Sequence, residues 1–297
     1  MRGIDNFKRY GIQRPPDGIE FIQGDLTDPE TVRKAVRGMD GVIQAAAQIF
    51  GVAGFHRYPA DILQFDTMLH GLVLRAVLDA GVERVVYISS SMVYEREDAI
   101  AREERVPDTA VPLTDYGLSK LMGERLSRAF AAQYDLPFTI WRPFNIIGLH
   151  ETAESPEPGV SHVFADFIRR IVIERQNPMD ILGSGEQIRC FTWIGDVADA
   201  IARYSFERQT LNEDFNLGNP APVTMIELAR RINDLSPYQS GGELRFRHLP
   251  VYADDVQVRI PSVEKARDVL GWQPHVGLDE MLRRVIDHTL ASQAAAS

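Results

Sequence analysis

Arg84-Val85-Val86-Tyr87-Ile88-Ser89 is an unbroken apolar run that stops at hydroxyl side chains. A strand with one wet face alternates polar and apolar residues. A continuous run is the pattern of a strand covered on both faces, as in a parallel sheet between helices. Just upstream, Ala60 to Ala80 reads as a long helix closed by Gly81 as a C-cap, and Gly41 to Ala47 as another buried strand. Downstream, Tyr116 to Tyr134 reads as a helix and Phe138 to Arg142 as a strand stopped by Pro143. Toward the start, Ile19 to Gln23 is a short strand ending at Gly24-Asp25-Leu26. Asp28-Pro29-Glu30 then opens a helix, with Asp28 as N-cap and Pro29 at the first position. Met1 to Phe7 is a short strand ending in Asp5. This alternation predicts an α/β fold with a doubly wound parallel sheet.

After His150 the pattern loosens. Glu154 to Gly159 reads as a loop, and short strands and helices mix beyond it. The expected division is a sheet domain over 1–150 and a smaller α/β lobe over 151–297, interleaved with it. The Ala-rich tail after His288 reads as frayed.

Composition narrows the function classes. The 297 residues carry a formal net charge of −10, which disfavours nucleic acid as a main partner because phosphate binding needs a basic surface. One cysteine, Cys190, leaves no disulfide framework or zinc cluster, and the seven histidines have no ligand spacing, so no metal is expected. No run of about 18 apolar residues and no signal pattern are present, so the expectation is a cytoplasmic protein away from the membrane.

The chemistry concentrates in Tyr116-Gly117-Leu118-Ser119-Lys120. Residues four apart share a helix face, and a nearby ammonium favours phenolate, lowering the tyrosine pKa toward working pH. A positioned tyrosine can then move a proton on a sugar hydroxyl. Chance occurrence in a helix is the bland alternative. Ser89-Ser90-Ser91 ends the preceding strand, where ligands bind in open α/β sheets; a loop satisfying its own backbone is the alternative there.

With these residues in order, the chain resembles the extended short-chain dehydrogenase/reductase family, in its NAD-dependent sugar-nucleotide epimerase/dehydratase branch, from Gly3 to about His288. The resemblance implies a Rossmann-like fold and a catalytic set of Ser90, Tyr116 and Lys120, Ser90 standing three residues before Val93 of the Val93-Tyr94 pair. It implies NAD as cofactor. Asp5 and Asn6 would hold the adenosine ribose, Asp25 and Leu26 the adenine, and Ala45-Ala46-Ala47 the small-residue strand end beside the dinucleotide. Tyr116, Lys120 and Pro143 would complete that site. Asp5 favours NAD over NADP, since its charge repels a 2′-phosphate. A nucleotide-diphosphate sugar would meet Ser91, Met92, Asn145 of Arg142-Pro143-Phe144-Asn145, Arg189 of the Gly183 to Arg189 loop, and Arg259 as a second phosphate ligand. Arginine suits that task through its bidentate fork. Asp196 reads as a helix N-cap, and Gly271-Trp272 as structural.

The resemblance has departures. Met92 stands where relatives carry a cysteine or an acid and cannot move a proton, which favours oxidation and re-reduction at one carbon over elimination. Met68 replaces an asparagine beside the cofactor. The family's opening strand, glycine-rich turn and helix, roughly 25–30 residues, are not among the 297. That strand would lie between the strands ending at Asp5 and Ala47, so two edges are expected to face a gap, without the turn whose N–H groups cradle pyrophosphate. A start further upstream, a rearranged sheet and a strand from a partner chain are the three explanations. The expected function is an NAD-dependent nucleotide-sugar epimerase. A non-catalytic scaffold of the same fold and a keto-sugar nucleotide reductase are the alternatives. A homodimer through a four-helix bundle is expected, to which Leu69, Leu72, Val73, Ala76, Leu121, Leu126 and Ala129 could supply the contact; burial within the monomer is the alternative for each.

Overall fold

The computed structural model describes residues 1–9, 11–12, 15–96, 100–103, 106, 111–153, 155–238, 243–252 and 255–296; Glu154 of the predicted loop lies outside them. β1 (Arg2–Asp5) and β2 (Glu20–Gln23) form a parallel pair. In α1 (Pro29–Val36), Asp28 is the N-cap and accepts from the N–H groups of Glu30 and Thr31, as the sequence predicts. Arg2 Nη1 donates to the carbonyls of Ala35 and Arg37 at the other end of that helix. A cation there complements the helix dipole and ties β1 to α1.

β3 (Gly41–Gln44), α2 (Val52–Arg57), α3 (Pro59–Asp79), β4 (Arg84–Ile88), α4 (Asp115–Tyr134) and β5 (Phe138–Pro143) follow. β3 stops at Gln44, so Ala45 to Ala47 run on beyond the strand. Gly81 has φ +67°, the left-handed conformation expected after the end of α3. The apolar run in β4 is explained by two cores. Val85 and Tyr87 pack with Leu69, Val73 and Val77 of α3, while Val86 packs on the other face with Trp141 and Phe215.

Beyond residue 150 come α5 (Val163–Ile168), continued by a π-helical turn at Arg169–Ile173, and β7 (Met179–Leu182). They are preceded by the two-residue strand β6 (Ile146–Ile147), which pairs with β9 (Thr192–Trp193). Next are β8 (Ile188–Cys190), α6 (Ile194–Tyr204), β10 (Glu213–Leu217), β11 (Pro222–Thr224), α7 (Met225–Leu235), β12 (Phe246–Leu249), α8 (Glu264–Leu270) and α9 (Leu278–Ala296). A core around Phe164, Ile168, Leu228, Ile232 and Leu282 joins α5, α7 and α9.

The main sheet has order β10-β5-β4-β3, all parallel, as expected for a doubly wound α/β fold. Among the described residues no strand joins β1 to β3, so the sheet is in two parts. The β1–β2 pair stays on the body through α1, whose Val32 and Val36 share a core with Val73 and Val77.

Two expectations are corrected here. The Ala-rich tail is helical to Ala296, which accords with alanine's helix propensity. Asp196 is not an N-cap: α6 starts after Trp193, and Asp196 in its first turn accepts through Oδ2 from the N–H groups of His275 and Val276. Trp272, buried, donates Nε1–H to the Asp196 carbonyl, so Gly271-Trp272 is structural as read. No described helix is long and apolar enough to cross a membrane.

Candidate active site

The end of β4 leads into a one-turn 3₁₀ helix, Ser91–Tyr94. Ser90 caps it, its Oγ accepting from Met92 N–H at 3.2 Å. Across from it, Thr114 caps α4 by accepting from Gly117 N–H at 3.1 Å. One buried carboxylate holds the two together: Glu95 accepts from Thr114 N–H and Thr114 Oγ1–H, both at 2.7 Å. This fixes the first turn of α4, which carries Tyr116. The Tyr116 hydroxyl lies beside the Ser90 side chain, and its ring stacks on Phe55 with centroids 4.8 Å apart. One turn on, Lys120 Nζ lies 5.7 Å from the Tyr116 ring centroid and donates to the Ile88 carbonyl at 3.1 Å. Another turn on, Glu124 accepts from Ser89 Oγ and from the fully buried Arg142. The predicted trio of Ser90, Tyr116 and Lys120 is therefore brought together.

The electrostatics differ from expectation. Burial pushes the Tyr116 hydroxyl up from its ordinary value, and the Asp66 carboxylate adds to that; the Ser90 side chain and the charges of Arg9 and Arg259 oppose it. Burial also pulls Lys120 down to about 8, against the upward pull of Asp66 and Glu124. The expected lowering of the tyrosine is thus overturned, because taking a phenolate out of water outweighs its cationic neighbours.

Ser90, Tyr116 and Lys120 line a cavity of about 480 Å³, a size that suits a small-molecule ligand. Ser91, Met92, Pro143 and Asn145 line it too. Asn145 adopts φ +33°, a left-handed turn tolerated by asparagine, and its Nδ2–H donates to the Cys190 carbonyl, tying the end of β5 to β8. Arg189 and Arg259 close the far side. Arg189 bonds Asp255 at 3.2 Å, and burial, with Arg259 beside it, pulls it down to about 9. Arg259 touches Met92 Sδ through Nη1, and its buried Nε has no partner. Two adjacent buried guanidiniums and an unsatisfied N–H describe a site that gains from an anion.

At the other end, Asp5, Asn6 and Asp25 sit together where β1 and β2 end. Asp5 Oδ1 accepts from Phe7 N–H at 2.6 Å, and Asn6 Nδ2 donates to Asp25 at 3.3 Å. Lys8 and Thr27 also bond Asp25, holding its carboxyl well below the usual range once burial is outweighed. Leu26 and Ala46 pack on the core below, and Ala47 is half-buried. Of these cofactor candidates only Ala45 reaches the cavity wall that carries Tyr116. Gln44 Oε1 and Gln48 Oε1, flanking the three alanines, are buried without partners. Small side chains and orphaned acceptors at a strand end fit the nicotinamide half of a dinucleotide. Among the described residues no glycine-rich turn follows a strand to cradle its pyrophosphate, so the fit rests on the nicotinamide end. No group of three His, Cys, Asp or Glu side chains among the described residues can hold a metal ion.

Sequence reasoning missed Asp66, Glu95, Glu124 and the pair Glu151–His162. Asp66 is fully buried and accepts from Gln48 N–H and Ser119 Oγ–H, both at 2.9 Å. Its signal was a charge inside the apolar stripe Ile62, Leu69, Val73 of α3. Glu124 continues the i, i+4 series from Tyr116 and Lys120. The other three had no readable spacing.

Comparison with known proteins gives the family and the fold. The family model for the NAD dependent epimerase/dehydratase family matches residues 2–218. Among solved structures, an epimerase of the methanogen Methanothermobacter thermautotrophicus superposes with TM-score 0.84 at 26% identity, over 99% of this chain and 85% of that one. The protein MoeE5, solved with UDP-glucose and NAD, gives TM-score 0.81 at 26% identity, over 98% and 91%. The UDP-glucose 4-epimerase of Thermotoga maritima gives 0.83 at 23% identity, over 98% and 91%, a likeness of fold.

Proposed function

The chain belongs to the NAD-dependent epimerase/dehydratase family, and from that premise we propose that it is an epimerase of a nucleotide-diphosphate sugar, working by transient oxidation of one ring carbon. NAD is the cofactor of this family; the Ala45 end of the cavity would hold its nicotinamide, which would supply hydride acceptance and return. The observation that carries the proposal is the convergence on one cavity of a Ser90–Tyr116–Lys120 set and a buried arginine pair.

In this reading Tyr116 reacts as phenolate, a form its buried site disfavours until a further positive charge lies beside it; it would take the proton of the sugar hydroxyl as the carbon is oxidised and return it when the carbon is reduced. Ser90 holds the same oxygen through its hydroxyl. Lys120, fixed by the Ile88 carbonyl, sets the charge beside Tyr116. Arg189 and Arg259 bind the diphosphate, and Asn145 and Ser91 border the sugar. Turning of the keto-sugar about the diphosphate held by Arg189 and Arg259 would present its other face to the Ala45 end of the cavity before Tyr116 returns the proton. Met92, on the cavity wall against Arg259, offers no proton for an elimination, which supports epimerisation over dehydration. Asp5, Asn6, Asp25 and Leu26 would hold the adenosine end.

The same reading includes a homodimer through α3 and α4. Leu69, Val73, Ala76 and Leu121 are buried within the chain's own core. The contact would instead rest on Leu72, Leu126 and Ala129 with Met68, which is 42% exposed; light scattering measures it.

The experiment is incubation of the protein with UDP-glucose and a catalytic amount of NAD, with the sugar analysed by chromatography and NADH followed by absorbance. An epimeric UDP-sugar with no net NADH supports the proposal. Stoichiometric consumption of NADH with a keto-sugar substrate makes the protein a reductase. Absence of NAD binding by calorimetry ends the catalytic reading and leaves a scaffold.

A further inference from the structure

The cavity holds a histidine–carboxylate pair that the reaction outlined above does not use. His162 and Glu151 both line it, and His162 Nδ1 is bonded to Glu151 Oε1. His162 occupies the N-cap position of α5, yet its side chain makes no capping bond. Its ring is committed to the loop carboxylate and not to the helix. The other acids on that part of the wall have arginine partners: Asp166 bonds Arg169 and Arg170, and Asp180 bonds Arg247.

We propose that His162, oriented by Glu151, is a specificity-determining residue that reads one hydroxyl group of the sugar. The inference rests on the nucleotide-sugar reading above. A carboxylate that accepts from Nδ1–H fixes the tautomer and leaves Nε2 as an acceptor. A hydroxyl can donate to that lone pair; a phosphate oxygen cannot. The anionic half of the ligand is already matched by Arg189 and Arg259, so the imidazole falls to the uncharged half. A site organised to hydrogen-bond a hydroxyl leaves its own group unpaired when that hydroxyl is missing, and discriminates accordingly. The His162 side chain is 37% exposed, so the discrimination is set by a partly hydrated bond and amounts to about tenfold.

The test is calorimetric binding of UDP, UDP-glucose and its 2-, 3-, 4- and 6-deoxy analogues to the full chain, its H162A, H162N and E151Q variants. The expected result is that the unmodified protein binds one deoxy analogue about tenfold more weakly than UDP-glucose. H162A closes that gap with unchanged affinity for UDP, and E151Q narrows it. H162N, which keeps a polar side chain, replaces the alanine variant if that one does not fold, and is expected to leave less than half the gap in logarithmic terms. A gap that persists in the His162 variants overturns the proposal, and so does an equal loss of UDP affinity, which would make the pair a loop fastening or a phosphate contact. Equal binding of all deoxy analogues by the unmodified protein, with UDP-glucose still tighter than UDP, overturns this proposal alone. UDP-glucose bound no tighter than UDP overturns it together with the nucleotide-sugar reading.

Discussion

Lys120 donates its Nζ proton to the carbonyl of Ile88 at 3.1 Å, so the ammonium is anchored to the end of β4 before any ligand arrives. Its charge survives burial because two acids, Asp66 and Glu124, oppose the loss of solvent. The lysine then titrates at about 8. If its charge supports turnover, kcat/KM falls as pH rises through that value. Asp66→Asn removes one opposing acid, so Lys120 drops further and the falling limb moves to lower pH. Profiles of the two proteins measured side by side check this. A limb that stays in place in the variant would show that Asp66 is only a fastening between α3 and α4.

His70 gives the acid side of the stability profile. It is buried, with its Nε2 paired to Tyr87 OH at 2.9 Å and its Nδ1 to Gln44 Nε2 at 3.2 Å. Burial, reinforced by the Lys120 charge, holds it down at about 3. A histidine depressed in the folded state is neutral there while the unfolded one still binds a proton. Its contribution is complete above the unfolded pKa of about 6.5 and is lost as pH falls from there toward 3, at a rate of about 1.4 kcal/mol per pH unit at most. Urea titrations between pH 7 and 4 should show that loss, and His70→Gln should flatten it.

How far the sequence led depends on whether a signal is local. The two-sided burial of β4 was legible because Val85, Val86, Tyr87 and Ile88 form one run, and the structure sends Val85 and Tyr87 to one core and Val86 to the other. Tyr116 and Lys120 were legible because four residues are one helical turn. Asp196 misled because acids favour both the N-cap and the first turn, and only the distant N–H groups of His275 and Val276 separate the two. The Tyr116 pKa misled for a related reason: spacing reveals the lysine, while burial depends on Phe55 and other distant residues. Glu151 and His162 are joined across a loop with no period, so no sequence pattern marks them.

Arg142 should be the most sensitive charged residue. It is fully buried, bidentate on Glu124, and bonded to Asp214 and Tyr94 OH. Arg142→Met leaves the buried Glu124 without its cation, while Asp214 keeps Arg128 and Lys265, and removing one partner of a buried pair costs about 3–5 kcal/mol. Urea denaturation measures it. A loss below about 1 kcal/mol, the ordinary worth of an exposed pair, would contradict the buried network.

Arg259 should separate ligand binding from folding. Its Nε is buried without a partner, and burial pulls its pKa down despite Glu95 and Asp255. Arg259→Ala therefore relieves a buried charge while removing a charge-assisted bond to diphosphate, worth roughly 1.5–3 kcal/mol. UDP affinity is expected to fall about ten- to hundredfold, with NAD affinity unchanged and thermal stability equal or higher. An unchanged UDP affinity would remove Arg259 from the diphosphate site.

Gly123 tests how tightly α4 is set on the sheet. A Cβ there would lie 2.2 Å from Tyr87 OH and 2.3 Å from its Cζ, distances no real contact tolerates. In an open helix, glycine to alanine would stabilise by about 1 kcal/mol. Here the methyl must displace either Tyr87, which is bonded to His70 and to the Lys120 carbonyl, or the helix that carries Tyr116 and Lys120. Gly123→Ala is therefore expected to destabilise by about 1–3 kcal/mol, the usual penalty of overpacking. It should lower kcat more than UDP affinity, since Arg189 and Arg259 lie on other elements. Denaturation paired with calorimetry checks both parts. Stabilisation by the alanine would mean that α4 sits further from β4 than the Tyr87 contact requires.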